Sequence, residues 1–374
     1  MFSANLLKNE EKAVFALRSI YQKYGYTPFK MSKFEEYDHY VRNKDFLISD
    51  NIITFTGMNG KLLALKPDVT LSIVKNTKDL PDTVQKVYYN ENVYRVSKNT
   101  QEFKEIMQTG LECIGNLDDY NISEVVMLAA KSLEAISDSF VLDLSHIGIV
   151  SAIIDSVGCD RETGKALLDC IGEKNQSGIE KICAEKWISP ESCQKLVTLV
   201  STYGKIGKVL PALEAVCDTD DAKAAFAQLS SICKLLTASG LEDKINIDFS
   251  FASDMRYYNG VVFQGFVENV PTGVLSGGQY DNLMKKMGRK SGAIGFAVYL
   301  DTLERLNLTT KKYDVDTLLL YDENSLPADI ANAVSELTGA GRSVMAQKSI
   351  PGSIKYRQLL KLNGKGVEIL ENND

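Results

Sequence analysis

Two stretches of this chain hold side chains suited to gripping a small polar molecule. The first is FASDMRYYNGVVFQGF, residues 251–266, where Tyr257 and Tyr258 run into an Asn259-Gly260 turn and then a half-apolar strand. The second is LSGGQYDNL, which adds Gly277, Gly278 and Tyr280. Paired glycines let backbone approach a ligand with no Cβ in the way. Arg256 stands as a lone cation among groups suited to a neutral or zwitterionic ligand, and its ordinary role would be an ion pair with Asp254 or Glu268. A third candidate is FKEIMQTGLECIG, where strand alternation puts Gln108, Gly110 and Glu112 on one side. Taken singly, a strand carboxylate is ordinarily solvated and a tyrosine ordinarily core. Together they describe a pocket, either a reaction centre or a site that only binds.

The elements that must hold such a pocket follow from the hydrophobic pattern. NEEKAVFALRSIYQKYGYTPF reads as an amphipathic helix with Ala13, Ala16, Leu17, Ile20, Tyr21 and Tyr24 on one stripe and Gly25 at its end. NIITFTGMNGKLLALKP reads as a hairpin turning at Asn59-Gly60. VQKVYYNENVYRV and FKEIMQTGLECIG read as two further antiparallel strands. NISEVVMLAAKSLEAIS is a helix with Asn121 as N-cap and Glu124 three residues on. The short strand FVLDLSHIGI follows. From about Ser151 to Asp243 the pattern is helical, carrying six of the seven cysteines and the single tryptophan, Trp187. Strands resume with KINIDFSF, GVVFQGFV and GVLSGG, and GAIGFAVYLDTLERL reads as a mostly apolar helix. From Tyr313 onward the reading alternates strand, helix, strand, helix, strand, with IKYRQLLKL as the second helix, giving a small parallel α/β unit.

Bulk properties restrict the function. At 374 residues, two or three structural units are expected. A net charge of -7 argues against a broad nucleic-acid-binding face, which needs surplus Lys and Arg to neutralise phosphates. The cysteines contain no C-x-x-C pair and only two histidines accompany them, so they read as buried apolar groups rather than metal ligands, and no metal is expected. MFSANLLKNEEK has no apolar leader and no run is long enough to span a bilayer, so the expected location is cytoplasmic.

The order of five motifs resembles the catalytic core of histidyl-tRNA synthetase and its relatives. LALKPDVT is similar to that family's Leu-Arg-Pro-Glu-Gly-Thr motif. VYRVSKNTQEFKEIMQTGLECIG is similar to its arginine motif with the following Gln-x-Gly-x-Glu strand. MRYYNGVVFQGF resembles the tyrosine-rich histidine signature, LSGGQYDNLMKKMG the glycine-rich strand, and GAIGFAVYLDTLERL the closing helix. The resemblance covers residues 1 to about 310. It implies an α+β, class II aminoacyl-tRNA synthetase-like antiparallel sheet flanked by helices. Residues 1–150 and 244–310 would form the core, 151–243 an all-α insertion, and 313–374 a truncated anticodon-binding-like α/β domain.

The same resemblance implies a histidine pocket. Asp68, Thr70 and Gln108 would hold the α-ammonium group and Glu112 would pair with the imidazole. Tyr257 and Tyr258 lie in the histidine signature, Tyr258 and Tyr280 would close over the ring, and Gly277 and Gly278 would admit the ligand to the backbone. Acceptors of this kind are what a buried ammonium and imidazole need, because desolvation otherwise outweighs the contacts.

The nucleotide half of the family's pattern is absent. Ser253 stands where the family places the arginine that polarises the phosphate, Thr302 where it places the ATP-binding arginine, and Tyr299 where it places glycine. Ser97 replaces a glutamate, and Lys66 an arginine. Arg95 alone remains of the phosphate-directed set, as a possible phosphate or ligand contact or as a stabiliser of the sheet edge. Losing one donor aimed at a transition-state charge costs about 3 kcal/mol. The combination therefore resembles the synthetase paralogues that regulate ATP phosphoribosyltransferase, as does LDLSHIGIV, in which His146 reads as structural. That resemblance implies a subunit with no catalysis and no cofactor, which pairs with the short-form catalytic subunit in a hetero-octamer and transmits histidine inhibition in the first step of histidine biosynthesis. The alternatives are a divergent histidyl-tRNA synthetase and a free-standing histidine sensor.

Overall fold

A computed structural model describes residues 7–43, 47, 52–79, 83–96, 102–251, 258–306, 312–364 and 366–373, with the side chains of 304–306 left out. Tyr257, Arg256 and Ser253, and likewise Ser97, lie outside the described residues. Two compact units divide the chain, Met1–Leu306 and Asn307–Asp374.

The first unit is built on a nine-stranded sheet. In spatial order its strands are Thr27–Pro28, Val84–Val96, Phe103–Gly115, Gly292–Tyr299, Leu275–Gln279, Val261–Val267, Phe140–His146, Ile245–Asp248 and Tyr203–Lys205. The central strands are antiparallel; Thr27–Pro28 and Ile245–Asp248 each join a neighbour in parallel. Val84–Val96 and Phe103–Gly115 form one long hairpin, paired without a break from Val84↔Gly115 to Val96↔Phe103.

Alternation along these strands separates two cores. Tyr88, Leu111, Cys113, Phe296 and Val298 pack with the helices Asn9–Lys23 and Asp119–Glu134. Val87, Tyr89 and Ile114 point the other way, against the helices Val69–Asn76 and Asp281–Lys286. The first helix buries Ala13, Leu17 and Tyr21 of the expected stripe, with Val14 beside them, and Gly25 beyond its end takes a φ of 82°. Only glycine adopts that conformation without strain. The hairpin Thr54–Thr56/Leu62–Leu65 forms as read, with Gly60 at φ 76° in its turn.

Several elements differ from the sequence reading. The cap of Asp119–Glu134 is Asp118, whose carboxylate accepts the Asn121 N–H at 2.8 Å; Asn121 is its partner in the capping box, and buried Glu124 instead receives Lys86 at 2.6 Å. GAIGFAVY is a strand rather than a helix, and only Leu300–Leu306 coils, as a 3-10 turn. Residues of a central strand are covered on both faces, so they read as an unbroken apolar run without period.

The segment 151–243 carries five helices between Arg161 and Ala238, but also the strand Tyr203–Lys205, which extends the sheet edge beside Ile245–Asp248. Its apolar side chains, among them Leu167, Ile179, Leu199 and Leu229, are continuous with the core of the sheet. Cys183, Cys217 and Cys233 are buried there, and burial raises their thiols, Cys233 to about 12 and Cys217 to about 11.

The second unit holds a four-stranded sheet in the order Val344–Gln347, Val315–Leu320, Tyr356–Asn363, Gly366–Asn372, with the helix Pro327–Gly339. The expected second helix is the strand Tyr356–Asn363, parallel to Val315–Leu320 and antiparallel to Gly366–Asn372, so the sheet is mixed. Leu360 and Leu362 alternate into the core of this unit with Leu319. A register shift at Leu359/Leu360 breaks the two-residue period that would have marked the strand. Among the described residues, no helix is long and apolar enough to cross a membrane.

Candidate functional site

The face of the sheet away from Asn9–Lys23 carries a cavity of about 270 Å³, at the lower end of small-molecule pockets. Residues opposite one another on antiparallel strands share a face, so the register orders the face of the sheet that carries the cavity as rows, not every member of which lines it. One row runs Val262, Gly278, Gly295, Glu112. The next runs Gln264, Ser276, Ala297, Gly110, and beyond it Tyr299 stands opposite Gln108. Glycines and an alanine hold the middle of the floor and larger groups its edges.

Glu112 is the buried anchor of the site. Thr70 Oγ1 donates to its Oε1 at 2.8 Å, and the Tyr280 hydroxyl donates to its Oε2. Burial pushes this carboxyl up to about 8, against the opposing pull of the two hydroxyl donors. A Cβ at Gly295 would overlap Glu112 Oε2, so the space that the carboxylate occupies exists because residue 295 has no side chain. Gly110 has a similar role beside Tyr89, whose hydroxyl reaches the Phe296 carbonyl at 3.3 Å.

Asp68 is a second buried carboxylate in the lining. It caps the helix Val69–Asn76 by accepting the Leu71 N–H at 2.9 Å, which fixes its carboxylate at the cavity. Burial raises its pKa, and the Arg95 guanidinium, 3.9 Å away, opposes the rise most strongly. Arg95 is itself held by donation from Nε to the Pro67 carbonyl at 2.8 Å.

Of the residues picked out from sequence, Asp68, Thr70, Gln108, Glu112, Tyr258, Gly277, Tyr280 and Arg95 all line the cavity. Gly278 does not line it. A Cβ there would lie 2.7 Å from the Tyr258 ring, so its bareness seats that ring over the floor. Gly277 contributes backbone only, and its bare side packs against Phe296 and Phe263 beneath the sheet. Sequence reasoning missed Gly295 and Ala297, as well as the wall residue Tyr89. Their small size or position matters only in relation to strands far away in the chain.

The cations are placed as tellingly as the acceptors. Lys66 is fully buried and tied to Glu91 at 2.9 Å, and it does not line the cavity. Among the described residues, Arg95 is the only cation that does. Thr302 donates to the Tyr299 carbonyl at 2.6 Å, and the Tyr299 hydroxyl meets Ser276 Oγ at 2.7 Å. Both positions are thus engaged within the fold. His146 is buried, hydrogen-bonded through Nε2 to Gln228 at 2.7 Å, and precedes the helix Ile147–Ser156, which fits its structural reading.

Comparison with known proteins agrees with this architecture. The histidyl-tRNA synthetase family model matches residues 5–303. An ATP phosphoribosyltransferase regulatory subunit of Clostridium novyi is 30% identical over 297 residues, spanning 77% of this chain and 70% of its own. One from a Thermoanaerobacter species is 28% identical over 348 residues, spanning 90% and 88%. The crystal structure of an ATP phosphoribosyltransferase regulatory subunit/histidyl-tRNA synthetase from Bacillus halodurans superposes with a TM-score of 0.74 at 22% identity, over 94% of this chain and 93% of that one. At that identity the likeness is one of fold, the class II synthetase fold.

Proposed function

The chain belongs to the family of ATP phosphoribosyltransferase regulatory subunits, within the wider histidyl-tRNA synthetase family, and we propose that it activates a short-form catalytic subunit and relays feedback inhibition by histidine without catalysis of its own. The observation that carries this reading is the asymmetry of the cavity. Among the described residues, two buried carboxylates, Glu112 and Asp68, face one cation, Arg95, which is already held by Pro67 and Asp68.

That set suits a zwitterion bearing an imidazole. Glu112 would take the ring, with Tyr280 and Thr70 orienting the carboxylate, and Asp68 with Gln108 would take the ammonium. An empty site with Glu112 raised to about 8 holds a proton near neutral pH. A ring N–H donor favours the ionised carboxylate and drives that proton off. For a triphosphate the same walls are unsuitable, because developing negative charge calls for several preorganised cations.

Regulation then requires differential affinity. Histidine must bind the inhibited arrangement of the complex more tightly than the active one, and by reciprocity the catalytic subunit must change the affinity for histidine. The test is to mix the protein with a short-form catalytic subunit and to assay condensation of ATP with phosphoribosyl pyrophosphate, with and without histidine. Activation that histidine reverses is the expected result; absence of both effects overturns the reading. Persistence of inhibition in Glu112→Gln would place the sensor outside this cavity.

A further inference from the structure

We propose that Tyr299, latched to Ser276, sets the length of the ligand, so that the cavity takes an amino acid with a free carboxylate and rejects derivatives extended at that carboxylate. The inference rests on the reading that the imidazole lies at Glu112. Strand residues advance about 3.4 Å each. The row of Ala297 and Gly110 therefore lies about 7 Å from the row of Gly295 and Glu112, and Tyr299 starts about 14 Å away. Yet the Tyr299 hydroxyl meets Ser276 Oγ at 2.7 Å, and Ser276 is level with Ala297, one row back toward Glu112. The phenol thus leans diagonally across the floor from one strand to the next, and both residues line the cavity. Its backbone is fixed on both sides: Tyr299 N–H donates to the Val274 carbonyl at 2.8 Å, and the Tyr299 carbonyl accepts from Thr302.

The floor consequently runs from no side chain at Gly295, through a methyl at Ala297, to a ring that leans over the Ser276 side of the far end. A ligand anchored by its ring at Glu112 spans about two strand residues before it meets the phenol. The hydroxyl pair also offers recognition. Within it one hydroxyl donates to the other, which leaves one proton free for an outside acceptor, and a carboxylate is the acceptor a short ligand would present there. A carboxyl-linked extension has to pass through the space the ring fills.

The experiment is calorimetric titration of the full chain with histidine and with its benzyl amide, in the wild type, Tyr299→Phe and Tyr299→Ala. The wild type is expected to prefer histidine by about 100-fold, the scale on which a pocket wall discriminates. Tyr299→Ala should bring the amide to within about tenfold of histidine. Tyr299→Phe should still exclude the amide while weakening histidine by about tenfold through the lost hydroxyl. Equal binding of the two ligands by the wild type overturns the proposal, as does continued exclusion of the amide by a folded Tyr299→Ala. Failure of histidine itself to bind the wild type would instead remove the reading on which the proposal stands.

Discussion

Glu112→Gln tests the electrostatics of the cavity without changing its shape. In the folded chain the Glu112 carboxyl is pushed from 4.5 to about 8 by burial. Between those values the folded state holds a proton that the unfolded state has released, so stability falls as pH rises and levels off above the folded value. At about 1.36 kcal/mol per pH unit, the part of that loss between about pH 5.5 and about pH 9 is about 3 kcal/mol. Glutamine cannot ionise, and its amide oxygen can still accept one of the hydroxyls that Glu112 now receives. Its stability should therefore follow every other group's pH dependence and escape this one. Urea unfolding of both proteins, followed by circular dichroism at the two pH values, isolates the effect as a difference of differences. The variant should gain about 3 kcal/mol on the wild type on going from acid to alkaline pH. A gap that stays constant with pH would refute the assignment of a buried, proton-holding carboxyl.

Three further outcomes follow from particular contacts. Gly295→Ala places a methyl where Glu112 Oε2 lies, so histidine binding should be lost and the melting temperature lowered; retention of both by calorimetry and thermal scanning would contradict the account of the floor. Lys66→Ala removes the partner of Glu91 from a fully buried position and should cost about 3–5 kcal/mol in chemical denaturation. A cost below about 1 kcal/mol, the range of surface ion pairs, would mean that the pair is solvated. Asp118→Ala, which strips the cap from Asp119–Glu134, should cost about 1 kcal/mol, whereas Asn121→Ala, if Asn121 were the cap, would cost the more of the two.

Much of this arrangement is legible in the chain, and the rest is hidden for identifiable reasons. The long hairpin can be read because Gln108 and Glu112 alternate with Leu111 and Cys113, one set facing the cavity and the other the helices. The carboxylates Asp68 and Glu112 and the hydroxyls of Thr70 and Tyr280 can be picked out as types and motifs, and the fold brings them to one cavity, with both hydroxyls donating to Glu112. Gly295 has no such signal. Its importance comes from facing Glu112 across two strands nearly two hundred residues apart, and pairing of that kind leaves no local periodicity. GAIGFAVY is apolar on both faces, one packed against the helices and the other kept small where it floors the cavity, so a helix and a central strand look alike there. The latch from Tyr299 to Ser276 depends on a diagonal between neighbouring strands that only the register reveals. Likewise, Lys66 reads only as a replacement for the family's arginine until its partner, Glu91, is seen on the adjoining hairpin.

The most direct test follows a single preparation through two steps: calorimetry with histidine, then histidine-dependent exchange of pyrophosphate into ATP. Saturable binding of the amino acid with no exchange above background is the predicted result. Exchange at a rate typical of synthetases would contradict it, since it would mean that the cavity can steady a reacting nucleotide after all.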